Sequence, residues 1–179
     1  MTDQQNSHKA ENLTTCISRL ANMIPLRTAA LAVALISLLS LAAAITAQFG
    51  FGLKPCALCL YQRIPFSINV ILGLLGAVLV AHTRAFIALS GLSFLANSGI
   101  AFYHSGVERK WWAGLEGCST PDMSGSIEDL MARIQNTDVT RCDEIPWEMF
   151  GLSMANYNAL MCLGLGIACW LYLCLKKKS

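Results

Sequence analysis

Two cysteines three positions apart, Cys56 and Cys59, stand just ahead of Arg63 in the segment LKPCALCLYQRIP, and Cys118 and Cys142 follow, 24 residues from one another. Thiols in such sets can exchange disulfides, serve a redox partner or ligate a soft metal. Pro55 suits the first position of a helix. In a helix starting there, Cys56, Cys59 and Arg63 fall at i, i+3 and i+7 on one face, and the N-terminal dipole with a nearby cation favours the thiolate. Arg63 can then stabilise that thiolate or hydrogen-bond an electron-rich ring oxygen; its other reading is an anchor that snorkels to a membrane interface. Pro65 is expected to kink or restart the helix, leaving the cysteines on a short turn ahead of a longer span. A structural zinc site of four thiolates wants two close pairs, which Cys118 and Cys142 do not provide, so no metal is expected.

These residues must be positioned by an unusually apolar chain. Of 179 residues, 55% are hydrophobic and 13% charged, with mean hydropathy +0.51, against about a quarter charged in ordinary soluble domains. The charges cluster between apolar runs of a length that crosses a bilayer core as a helix. Four spans are predicted, over 28–49, 64–81, 85–107 and 149–175. Continuous runs of this length exclude barrel strands. The fold class is therefore all-α, an integral membrane four-helix bundle. The first run is too long for the apolar core of a signal peptide and is kept as a span. Residues 1–27 form an N-terminal tail, 28–175 the membrane domain and 176–179 a basic tail.

Lys9, Arg19 and Arg27, then Arg84, then Lys176, Lys177 and Lys178 fall on one side, whereas the loop over 108–148 holds four basic residues against nine acids. The positive-inside rule puts both termini in the cytoplasm and two loops outside. Cys56, Cys59, Cys118 and Cys142 then face an oxidising compartment, where disulfides persist. Cys16, Cys162, Cys169 and Cys174 read as bystanders. In the second outer loop, Ser126 and Asp129 outline a capping box ahead of Ile127, Leu130, Met131 and Ile134, a short amphipathic helix that either lies on the membrane surface or packs on the bundle. Trp111, Trp112 and Trp147 suit an aromatic belt. Asn69, Asn97, Asn156 and Asn158 suit interhelical hydrogen bonds.

CALCLYQR resembles the CxLCxxxR signature of the DsbB family of membrane disulfide bond formation proteins, and RCDEIPWEMFGLSM resembles that family's passage from its last outer cysteine into the fourth span. The resemblance covers about 28–175 and extends to the four spans, two outer loops and two cysteine pairs. It implies an enzyme, a membrane oxidase that reoxidises a periplasmic DsbA-type dithiol protein and passes the electrons to a quinone, either ubiquinone or menaquinone. Carried over, Cys118 is the sulfur attacked by the partner and Cys142 its disulfide mate; exchange with Cys56 and Cys59 restores that pair. Cys59 faces the quinone, Arg63 lies beside its ring, and His104, at the outer end of the third span, is a further candidate for the quinone site. The implied location is the bacterial inner membrane with the active cysteines on the periplasmic side. The implied partners are the DsbA-type protein, lipid and the quinone pool, with no nucleic acid. The energetics agree: a structural disulfide below about −300 mV cannot oxidise a partner near about −120 mV, a gap of roughly 8 kcal/mol, so an external oxidant is required. The alternative is a non-enzymatic membrane scaffold with static outer disulfides; a metal-handling protein using the thiols as soft ligands is a third reading.

Overall fold

The computed structural model describes residues 18–19, 21–114 and 141–177. Four helices are long and apolar enough to cross a membrane. They are α1 (Leu26–Gly50), α2 (Ala57–Val78), α3 (Thr83–Glu108) and α4 (Met154–Lys177), with a single 3-10 turn at Val80–His82 joining α2 to α3. Large apolar side chains such as Leu35, Leu39, Ile71, Leu92 and Leu171 point outward, as they do where lipid replaces water. The chain is an all-α membrane bundle, as its hydropathy predicts. Cys118 and the amphipathic segment of 126–134 lie outside the described residues.

Packing runs α1 on α2, α2 on α3 and α3 on α4, with little between α1 and α3. Phe66, Phe94, Ile87, Ala30 and Val33 form the middle of the core, the two phenyl rings meeting edge to face at 6.2 Å. Tyr172 and Lys176 near the end of α4 both donate to Ile24 O ahead of α1. Both ends of the bundle chain therefore sit together, opposite the end that carries the cysteines.

Two boundaries differ from the sequence expectation. Helix α2 starts at Ala57 and runs unbroken through Pro65, so Cys56 caps the spanning helix and Cys59 lies in its first turn, not on a separate turn. Packing against neighbouring helices lets a membrane helix tolerate a proline; at this position Ser93 Oγ of α3 donates to Pro65 O at 3.4 Å, tying α2 to α3. The fourth span starts at Met154, preceded by a hairpin of β1 (Glu148–Met149) and β2 (Leu152–Ser153) in antiparallel register, Glu148 opposite Ser153. Its turn residues Phe150 and Gly151 have φ of +52° and +75°, the two positive values that a type I′ turn requires. Arg109 Nη2 donates to Gly151 O at 2.9 Å, which fastens the hairpin to the end of α3.

The seam between α1 and α2 is closed on a glycine. A Cβ at Gly73 would lie 2.6 Å from Ala30 O and 2.7 Å from Ala34 N, both backbone atoms that cannot turn aside. Gly73→Ala is therefore expected to lower stability by roughly 1–3 kcal/mol from overpacking, outweighing the ~1 kcal/mol that alanine gains in helix propensity. Thermal unfolding in detergent tests this; an unchanged or raised midpoint would contradict it.

Candidate active site

Cys56 is the N-cap of α2, and its sulfur accepts from Cys59 N at 3.3 Å. A sulfur thus takes the place usually held by a serine or aspartate oxygen. Cys59 lies one turn on, with the two sulfurs 3.1 Å apart and both thiols free. Cys56 is 5% exposed, and its thiol is held well below the ordinary range, at about 4. The largest cause is the hydrogen bond with the Cys59 side chain; burial opposes it, and the His104 ring and Cys59 N add to it. One proton is shared by the pair, and the negative charge settles on Cys56.

His104 comes from the last turns of α3, 48 positions away in the chain. Its Nε2 is 3.4 Å from Cys56 Sγ and its Nδ1 is 2.8 Å from Gln62 Nε2. The residue is 4% exposed, so the imidazole is buried within the bundle although it comes from the end of its helix. Donors and acceptors run in one direction from the bundle interior. Cys162 Sγ donates to Asn158 Oδ1 at 3.2 Å, and Asn158 Nδ2 donates to Gln62 Oε1 at 2.5 Å. Gln62 Nε2 can then only donate to His104 Nδ1, which leaves the ring proton on Nε2, facing Cys56. A histidine tautomer is set by the bond its other nitrogen makes, and here two amides make that choice.

Glu108 is one turn beyond His104, its Oε1 3.7 Å from Nε2 with both side chains nearly inaccessible. Ser153 Oγ of the hairpin donates to its other oxygen, and Asn156 N and Nδ2 in turn donate to Ser153 Oγ, each at 3.3 Å. The hairpin therefore serves to satisfy a buried carboxylate. Ser105 Oγ donates to Asn156 Oδ1. Of the asparagines expected to bridge helices, Asn156, Asn158 and Asn97 do so, Asn97 Nδ2 donating to Cys162 Sγ at 3.4 Å. Asn69 does not: it is fully buried, and neither amide atom has a partner among the described residues.

Arg63 completes the face. Its Nη1 donates to Gln48 Oε1 at 2.8 Å and its Nη2 approaches Ala44 O at 3.5 Å, so the guanidinium is pinned to α1 and does not reach for the surface. A cavity of about 540 Å³ opens beside it, where α1 and α4 leave a gap over α2. Cys59, Gln62, Arg63, His104 and Glu108 form its polar wall. Ala43, Ala44 and Ala47 of α1, Phe66 of α2 and Met161 of α4 form the apolar one, and Trp147 and Met149 close the end near the hairpin. That volume lies within the ~300–1,000 Å³ of small-molecule sites, which combine apolar walls with a few convergent polar groups.

Cys142 is fully buried, disulfide-bonded, and packed in one cluster with Cys56, Leu58 and Val107, against which Cys59 and Tyr103 rest. Arg141 holds Asp143 through two hydrogen bonds, 3.0 and 2.8 Å, bracing the strand of chain that delivers it. The structure thus joins Cys56, Cys59, Arg63, His104 and Cys142 at one end of the bundle. Among the other described cysteines, Cys162 and Cys169 are buried within α4 and Cys174 is exposed near its end.

A four-span bundle that starts one helix with a dithiol, and sets a third, bridged cysteine against it, has the design of a membrane thiol–disulfide oxidoreductase. The comparisons with known proteins give that class a family. The family model of the disulfide bond formation protein DsbB matches residues 26–172. The chain is 33% identical over 136 residues to the disulfide bond formation protein B of Xanthomonas axonopodis pv. citri, covering 71% of this chain and 78% of that one. It is 33% identical over 139 residues to the protein of the same name from Xylella fastidiosa, covering 70% and 79%. It is also 26% identical over 129 residues to an uncharacterized protein of Rickettsia prowazekii, covering 70% and 75%. The chain belongs to the DsbB family, a multi-pass protein of the bacterial inner membrane that acts in disulfide bond formation.

The depressed Cys56 thiol has a direct consequence. An ordinary thiol, with a pKa near 8.5, gains reactivity only as the pH approaches that value. Cys56, ionised above about 4, is expected to keep its alkylation rate nearly constant from neutral pH down to about 5 and to lose it as the pH falls through about 4. His104→Ala should move that inflection upward. Alkylation of the reduced protein, read peptide by peptide by mass spectrometry, measures both; a wild-type inflection near the ordinary value would refute the assignment.

Proposed function

We propose that the chain reoxidises a periplasmic, DsbA-type thioredoxin-like dithiol protein and passes the two electrons to a membrane quinone, with both termini in the cytoplasm and the cysteine end on the periplasmic side. The observation that carries this reading is the shared wall: Cys59 and Arg63 line the same apolar cavity, within reach of a thiol pair that already bears a negative charge. The partner's thiolate attacks Cys118 of the outer disulfide and releases Cys142; the partner's second thiol then resolves the mixed disulfide, and the partner leaves oxidised. The Cys118/Cys142 dithiol next exchanges with a Cys56–Cys59 disulfide, which restores the outer bridge and leaves Cys56 and Cys59 reduced. The burial of Cys142 against Cys56 suits that transfer. A bridged Cys142 with free Cys56 and Cys59 corresponds to the stage reached then.

A bound quinone would supply the oxidising potential, taking the two electrons released as the Cys56–Cys59 bond re-forms together with the one proton left on the thiol pair and a second proton from solvent. The residues fit such a group: the alanines and Phe66 of the cavity suit its apolar body, and Arg63 offers donors to ring oxygens. Cys59 is the sulfur of the pair that faces the cavity. Arg63, pinned by Gln48, places a fixed positive charge where negative charge develops. His104 holds a proton on Nε2 toward Cys56, with Glu108 Oε1 3.7 Å from the same nitrogen and Gln62 fixing the ring from the other side.

The test is anaerobic mixing of the purified protein and quinone with a reduced DsbA-type partner, following quinone absorbance. Loss of absorbance stoichiometric with partner oxidation is expected. Intact outer disulfides and no quinone reduction with several such partners would instead fit a static scaffold.

A further inference from the structure

The reduced dithiol and the imidazole beside it have the composition of a metal site. Cys56 Sγ, Cys59 Sγ and His104 Nε2 all lie within 4.8 Å of one another, at 3.1 Å between the sulfurs and 3.4 Å from Cys56 to the ring. Around tetrahedral zinc, with Zn–S about 2.3 Å and Zn–N about 2.0–2.1 Å, two sulfurs sit ~3.8 Å apart and a sulfur and nitrogen ~3.5 Å apart. The sulfurs need to part by under ~1 Å, a side-chain rotation at a helix start. We infer that the reduced protein binds a zinc-class divalent ion through Cys56, Cys59 and His104, and that the bound ion withdraws the CxxC pair from its thiol–disulfide cycle.

Two further observations support the site. The adjoining cavity, lined by Cys59, His104 and Glu108, gives an ion access, and Glu108 Oε1, 3.7 Å from Nε2, is placed to supply a fourth ligand or to hold a water there. The other nitrogen of the ring meets the Gln62 side-chain amide, whose oxygen, once the amide is turned over, can accept from that nitrogen as the outer-shell partners of ligating histidines do.

Ligation requires a free lone pair on Nε2, so the ring proton moves to Nδ1 and the hydrogen-bond chain behind it reverses. Each member permits this. Turning over the Gln62 amide lets Oε1 accept from Nδ1, turning over Asn158 lets Oδ1 accept from Gln62, and the Cys162 sulfur can accept from the Asn158 amide. Two Zn–S bonds and one Zn–N bond form and the remaining thiol proton is released; no electron moves. Both sulfur lone pairs needed to re-form the disulfide are then engaged.

The inference does not depend on the electron acceptor, and its first readout is metal itself. Full-length protein in detergent is reduced anaerobically, freed of reductant, exposed to zinc and passed through a desalting column. A parallel titration with cadmium follows the ultraviolet sulfur-to-metal charge-transfer band. One ion per reduced chain is expected, and none on the same protein with Cys56 and Cys59 as a disulfide, a comparison that no folding defect can confound. His104→Ala should weaken binding by more than about 100-fold and Gln62→Leu by about tenfold, scaled from outer-shell losses of 10- to 100-fold. Zinc should also arrest quinone reduction, with recovery on chelation. Equal metal on the reduced and disulfide forms, or full retention by Cys59→Ser, would overturn the site; failure of quinone reduction without zinc would overturn the proposed function and leave the metal result standing.

Discussion

Cys59→Ser is expected to bring quinone reduction to the uncatalysed background while the bundle stays folded. The effect is total because a serine oxygen cannot take part in the S–S bond whose formation releases the electrons; among the described cysteines Cys59 alone lines the cavity, and the free Cys162, Cys169 and Cys174 belong to α4. The variant should keep its fold, because the helix cap is made by Cys59 N and the Cys56 sulfur, not by the Cys59 side chain. It should also shift Cys56: the hydrogen bond with Cys59 is the largest cause of that thiol's depression, and a hydroxyl replaces it only in part. Cys174→Ser, exposed on α4, serves as the control with no change. Measured turnover by Cys59→Ser above background would mean that the electrons leave by another sulfur.

The spans were legible because lipid imposes a length and a composition on every crossing helix. The CxxC–Arg63 face was legible too, since helical spacing aligns it whatever lies around it. What the sequence did not disclose is the buried polar set behind that face. Gln62 sits three residues past Cys59 and Glu108 four past His104, spacings that a helix stacks on one face. Polar groups inside a membrane helix are functional candidates by default. Glu108 escaped because it falls one residue beyond the predicted third span, 85–107, where it counts as one more loop acid. Ser153 and Asn158 gain meaning only from contacts with residues 45 and 96 positions away, which no local pattern encodes. Pro65 misled in the opposite direction: its cost in an isolated helix is real, but a packed membrane helix absorbs it. The hairpin went unseen because each of its strands has two residues and Phe150 is no usual turn residue.

Arg63→Ala should lower quinone-reduction kcat/KM by about 10- to 100-fold, the equivalent of the ~1.5–3 kcal/mol that a hydrogen bond to a charged group contributes. Most of that loss is expected in kcat. The guanidinium faces a cavity walled by alanines, Phe66 and Met161, where little solvent screens it, and negative charge appears on a ring oxygen only as electrons arrive. An interaction stronger in the transition state than in the bound ground state appears in kcat. Gln48 and Ala44 hold the group in place beforehand, so little reorganisation is needed when the charge develops. Arg63→Lys keeps the charge but not the planar fork that reaches two partners at once, and should fall between alanine and wild type. Gln48→Ala, which frees the guanidinium without removing it, should cost less than Arg63→Ala. Alkylation of Cys56 should stay as in wild type in all three, because its depressed value owes nothing to Arg63. An unchanged kcat with a raised KM would make Arg63 an anchor for the ring alone, and unchanged turnover would remove it from the site.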